Sequence, residues 1–187
     1  MISLLLMLAG AAQANADQRL SRMTALYDQV CLQTFPDDQA VVALMEAQDA
    51  TPLTSEQVKI TLRDDPGRGW MIEDGDVTAL LFIEDPPYHA CSLRWPMPAE
   101  IGDLKDYHDI ADRYEGKVGD FTAIEPYNDD RDDIHIHAVG EQRTLPDGSF
   151  ESLFVFDQHV TNPERRAAGE TGTMLRFVHQ YAAPGAR

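Results

Sequence analysis

The stretch IHIHAVGEQRTLPDGSFESLFVFDQHV, from Ile134 to Val160, decides the architecture. At its centre stands Leu145-Pro146-Asp147-Gly148-Ser149. Proline suits the second position of a type I turn, aspartate the third, and the glycine that follows can take positive φ, so this segment specifies a three-residue hairpin loop with a G1 bulge. The loop pairs Leu145 with Ser149. Counting outward sets Arg143 opposite Glu151, His137 opposite Asp157 and His135 opposite His159. Opposite-charge and imidazole–carboxylate pairs follow from the turn chemistry alone, and a slip by one residue would send half of them to the other face. Two strands are therefore expected, Ile134 to Arg143 and Phe150 to Val160.

Upstream, apolar residues at Leu20, Met23, Tyr27, Val30 and Cys31 recur in steps of three and four, the pattern of an amphipathic helix that Pro36 ends. Asp37 or Asp38 can cap a second helix with Val41, Leu44 and Met45 inside, running to about Gln48. Four strands are then read over Val58 to Leu62, Trp70 to Ile72, Val77 to Glu84 and His89 to Trp95. Their punctuation is Asp65-Pro66-Gly67, Asp74-Gly75 and Pro86-Pro87. Helical spacing returns from Ala99 to Tyr114 through Ile101, Leu104, His108, Ala111 and Tyr114, bounded by Pro98 and Gly116. Further strands are expected near Lys117 to Glu125 and Thr173 to Tyr181. This order describes an α+β domain, with N-terminal helices and one middle helix packed on a curved antiparallel sheet. A chain of 187 residues, 43% of them hydrophobic, suits one domain over 17–187.

Residues 1–16 carry no charged side chain. They hold the apolar run Leu4 to Ala9 and end in Ala14-Asn15-Ala16, small residues placed as an export peptidase requires. No lysine or arginine precedes the run, which departs from the usual pattern. The run is too short to span a bilayer. The expectation is a signal peptide over 1–16, an exported mature protein in the periplasm or outside the cell, and no membrane insertion after cleavage. In that compartment the two cysteines, Cys31 and Cys91, are expected to form one bridge closing a loop of about 60 residues, worth roughly 3 to 4 kcal/mol; the competing reading is two buried free thiols.

The formal net charge is −17, all of it in the mature part. Such a field repels phosphate backbones and anionic lipid, which sets aside nucleic acid and membrane surface and more easily accommodates a cationic protein or peptide or a divalent metal, while plain solubility is the simpler account of the charge. His135, His137, Asp157 and His159 share one strand face in the inferred register, and three imidazoles with one carboxylate have the composition of a site for zinc or another divalent transition metal. The simpler reading is a solvent-facing stripe, with Ile134, Ile136, Phe154 and Phe156 on the buried side. Asn128-Asp129-Asp130-Arg131-Asp132-Asp133 lacks calcium-loop spacing and reads as a solvated connection. Asp64 to Gly69 has no Walker lysine and reads as a turn that delivers Trp70 to the core. His108 and His179 lie on largely apolar faces, where a satisfied, partly buried imidazole is the ordinary occupant. No organic cofactor is expected, and the nucleophile elbow, Ser-x-x-Lys and His-Glu-x-x-His patterns are absent.

A helix bearing Cys31, then Phe35-Pro36-Asp37, a later Gly69-Trp70 and a strand beginning at Cys91 resemble a family of small exported alphaproteobacterial proteins of unknown function. The resemblance covers about the first half of the mature chain, and the hairpin histidines lie outside it. It implies an extracytoplasmic disulfide domain and no activity. Three functions remain in view: an acidic, non-enzymatic binding or inhibitor module, a metal-binding protein or metal-dependent hydrolase on the hairpin histidines, and an envelope protein without a discrete site.

Overall fold

The computed structural model describes residues 18–63, 65–96, 104–169 and 172–185. The signal-peptide reading of residues 1–16 lies outside them. Helix α1 covers residues 18–27 and ends in a π-turn, Asp28–Leu32, closed by wide-spaced bonds from Gln33 N–H to Asp28 O and from Phe35 N–H to Val30 O. Leu20, Met23, Tyr27, Val30 and Cys31 are all buried, the face expected from their spacing. Helix α2 is Asp38–Ala47, and the Asp37 carboxylate accepts from the Gln39 and Ala40 N–H groups at its start.

The expected strand from Val58 to Leu62 is instead helix α3, Ser55–Leu62. The local reason is a capping box in which Thr54 Oγ1 accepts from Gln57 N–H while the Gln57 side chain accepts from Thr54 N–H. A strand would have put Val58, Ile60 and Leu62 on one face. The helix buries Val58 and Leu62, four apart, and leaves Ile60 80% exposed.

The strands are β1 (Thr51–Pro52), β2 (Gly67–Asp74), β3 (Val77–Glu84), β4 (Tyr88–Pro96), β5 (Thr122–Ala123), β6 (Tyr127–Arg131), β7 (Ile134–Thr144), β8 (Phe150–Val160) and β9 (Met174–Ala182). They form one antiparallel sheet in the order β1-β2-β3-β4-β9-β8-β7-β5, with β6 also on β7. The C-terminal strand β9 enters between β4 and β8 and joins two meanders into one sheet. The β7–β8 register matches the expectation, with Arg143 opposite Glu151, His137 opposite Asp157 and His135 opposite His159. Gly148 takes φ 83° in the loop, and Leu145 N–H donates to Ser149 O at 2.8 Å.

Helix α4 is Lys105–Val118, and residues 97–103, where its expected start falls, lie outside the described residues. It passes through Gly116, whose position is open to solvent, and stops at Gly119, where φ is 76°. The strand expected from Lys117 therefore shrinks to β5. The buried face of α4 is Tyr107, Ile110 and Ala111, with Tyr114 half-buried; His108 is exposed. Both helical phases share Leu104, Ala111 and Tyr114, and the large Tyr107 ring decides between them. The acidic connection is strand β6, joined to β7 by Asp132 and Asp133 at φ 50° and 65°. A short helix, α5 (Pro163–Ala167), capped by Asn162, was not expected.

One face of the sheet carries Trp70, Leu81, Ile83, Leu93, Leu153, Val155, Leu175 and Phe177, and these pack with α1, α2 and α4 into the main core. Cys31 in α1 and Cys91 in β4 are disulfide-bonded, which ties that helix to the middle of the sheet. The other face is covered at one end by α3, where Val58 and Leu62 pack with Phe82. The histidine face of β7–β8 is thus the core face, and Ile134, Ile136, Phe154 and Phe156 are half-buried on the opposite side. Three helices bearing the larger apolar surface cover the first face, which reverses the expected assignment.

Candidate functional site

Beneath α4 the sheet buries an ionic group. Glu151 of β8 is fully buried, between Arg143 of β7 and Tyr181 of β9, both directly opposite it. Arg143 Nε and Nη2 reach Glu151 Oε2 at 2.6 and 2.5 Å, and Arg143 Nη1 donates to Val118 O at 2.6 Å, a cation at the end of α4. Oε1 accepts from Tyr114 and Tyr181 hydroxyls, the latter at 3.0 Å, and lies 2.8 Å from His179 Nε2. His179 Nδ1 lies 2.6 Å from Cys31 O. Burial alone would raise the Glu151 carboxyl, but the hydrogen bonds from His179, Tyr114 and Arg143 bring it down to about 2. Its neighbours respond in the opposite sense. Burial pushes Tyr181 to about 12 and Tyr114 further above its ordinary value, the Glu151 contacts adding to both. Every polar atom of the carboxylate is occupied and none faces solvent, so the cluster orders the fold beside the disulfide. It presents nothing to a substrate.

The accessible chemistry lies next to it. Between α4 and strands β5, β7 and β8 runs a groove of about 410 Å³, its floor made by Val139, Leu153 and Val155 and its helical wall by Leu104, Tyr107 and Ala111. Gly140 lies in the floor; a Cβ there would approach Leu153 O within 2.6 Å. At the rim stand His108, Asp112 and Glu115 from α4, and Glu141 from β7 faces Glu115. Burial, the hydrogen bond and charge of Glu141, and the charge of Asp112 all act in one direction and push Glu115 up to about 7. Glu115 is therefore partly protonated near neutral pH. An apolar slot with carboxylates at one edge suits a cation on an apolar stem. Among the described residues lining the groove there is no serine, threonine or cysteine.

The hairpin histidines keep the expected register and stand in two facing pairs, His135 with His159 and His137 with Asp157. His135 and His159 are in ring contact, with centroids 5.2 Å apart, and His135 Nδ1 is 2.9 Å from Asp130 Oδ1 of β6. His137 and Asp157 face each other one pleat further along. Among the described residues no group of three or more His, Cys, Asp or Glu side chains is arranged to hold a metal ion. Strand β6, absent from the expected topology, brings Asp130 opposite His135. Asp129 accepts from Tyr127 Oη and Arg131 Nη2, so the acidic stretch is engaged in its own hairpin.

The hairpin register already placed Glu141 and Glu151 on the face shared with the histidines. Nothing local placed Tyr114, Glu115 or His179 against them, because α4 and β9 arrive from elsewhere in the chain. His179 is the satisfied buried imidazole expected, and His108 is not. Among the described residues no helix is long and apolar enough to cross a membrane. No family model matches the chain, and neither curated proteins nor solved structures yield a match.

Proposed function

We propose that this chain is an exported, non-enzymatic binding module that takes a cationic segment of a partner protein or peptide into the groove between α4 and β7. The observation that carries the reading is the groove itself, an apolar slot edged by Asp112, Glu115 and Glu141, in which every influence raising Glu115 is burial or another carboxylate. A lysine or arginine from a partner would lay its methylene stem along Val139 and Leu153 and its charge on the carboxyl pair. The disulfide supports an oxidising compartment, and the net charge of −17 supports attraction of a basic partner over longer range.

The test is calorimetric titration with a short peptide that alternates lysine and leucine, against wild type and Glu115→Gln/Glu141→Gln. Saturable binding is expected, weakened at least about tenfold in the variant and weakened by salt. Because the cation requires an ionised Glu115, affinity rises as pH increases from about 6 to 8, through the raised carboxyl. Binding that is equal in the variant, or independent of pH over that range, would remove the groove as the site.

A further inference from the structure

We propose that the opposite face of the sheet carries a second binding site, a pocket beside α3 in which Arg94 and Arg176 hold the oxyanion of a small organic ligand, a carboxylate or phosphate on an apolar body. This inference does not rest on the cationic-partner reading. The pocket, about 340 Å³, lies where Leu62 of α3 and Arg63 just after it meet β4, β9 and β8, with Ile136 and Met174 in its walls.

Arg94 and Arg176 are directly opposed across the β4–β9 ladder. Like charges at opposed positions destabilise a sheet. In a chain with 32 acidic and 15 basic residues, a carboxylate partner is easily found. Arg19 and Arg22 meet Asp76, Arg113 meets Asp28 and Arg143 meets Glu151. Arg94 instead donates to the neutral Ser92 Oγ at 3.3 Å, and Arg176 Nε is buried with no hydrogen-bond partner. Among the described residues lining the pocket, Glu84 is the one acidic side chain, its charge acting on both guanidinium groups, with Arg63 at the rim.

The arginines are also held in place. Arg94 lies over the Phe82 ring at 4.9 Å and Arg176 over Phe156 at 4.2 Å. Stacked guanidinium groups keep their N–H edges free in the plane, which is the geometry that receives an oxyanion by two parallel bonds. Burial and mutual repulsion pull Arg94 down to about 9, and burial takes Arg176 to about 10, so both remain charged at neutral pH. An unpartnered buried donor, an opposed pair of cations and apolar walls leave a site whose missing component is an anion with an apolar body.

The experiment is isothermal titration with octanoate and with octyl phosphate, each below its micellar concentration, on wild type, Arg94→Met/Arg176→Met, Arg94→Lys/Arg176→Lys and Glu115→Gln/Glu141→Gln. One-to-one binding is expected in wild type and in the groove variant. Both arginine variants should lose at least about tenfold, the lysine form because it keeps the charge but not the fork. The methionine form should melt no lower than wild type, because it relieves two opposed charges. The probe that binds more tightly identifies the head group. The proposal falls if neither binds wild type below about 1 mM, if the methionine form binds as wild type does, or if it melts several degrees lower, which would make the arginines structural.

Discussion

Replacing Glu151 by glutamine keeps the shape of the side chain and removes its charge. The carboxylate is fully buried; Oε1 accepts from two tyrosines and His179, and Oε2 from Arg143 at 2.5 to 2.6 Å. An amide has one acceptor end. Whichever way it turns, its NH₂ group faces donors, and either Arg143 or the tyrosine–histidine side loses its acceptor. The Arg143 guanidinium, 19% exposed, is then left without its counter-ion. Breaking a buried pair from one side costs about 3 to 5 kcal/mol, a large part of the roughly 5 to 15 kcal/mol that holds a domain together. The assay is urea unfolding at neutral pH, with a lower midpoint and an unchanged slope expected. A second arm fixes the cause. Glu151 sits at about 2 in the folded protein, below its ordinary value of 4.5, so its contribution is complete above the unfolded value and is lost as pH falls from about 4.5 towards 2. The difference between wild type and Glu151→Gln should therefore shrink over that range. A loss below about 1 kcal/mol at pH 7, or a difference that stays constant into acid, would refute the assignment of an ionised, fully coordinated carboxylate.

Two further outcomes are expected. Cys31→Ala/Cys91→Ala opens a bridge across a sequence separation of 60, and the double variant should lose about 4 kcal/mol; a denaturant midpoint unmoved by the substitution or by reductant would show that the bridge does not constrain the unfolded chain. Gly140→Val places a Cβ against Leu153 O at 2.6 Å and the Phe154 ring at 2.5 Å. The ring can swing away and the backbone oxygen cannot, so a loss of about 1 to 3 kcal/mol in thermal or denaturant melts is expected, and wild-type stability would show that β7 and β8 can separate there without cost.

Much of the molecule was legible locally. Pro146, Asp147 and Gly148 set the hairpin register of β7 and β8, residue for residue, because turn geometry dictates which positions oppose one another. The spacing of Leu20 to Cys31 placed the inner face of α1, and Asp37 announced α2. Where local signals competed, the outcome depended on which was weighed. The β-branched residues Val58, Ile60 and Thr61 suggested a strand, yet the Thr54–Gln57 capping box, equally present in the sequence, starts a helix. In α4 the step from Leu104 to Ala111 fits two phases, and only packing against Tyr27 and Phe177 selects Tyr107 over His108 as the inward residue.

The sequence by itself determined the α+β class, the hairpin pairing, the net negative charge and the two cysteines available for a bridge, since each follows from composition or from interactions a few residues apart. Tertiary structure decided which face of the hairpin is buried, the encirclement of Glu151 by Tyr114, His179 and Tyr181, the meeting of Glu115 with Glu141, and the opposition of Arg94 and Arg176. All of these depend on β9 entering between β4 and β8 and on α4 crossing the sheet. Those placements are set by the burial of whole apolar faces, and residues far apart in the chain carry no local sign of the neighbours such burial will give them.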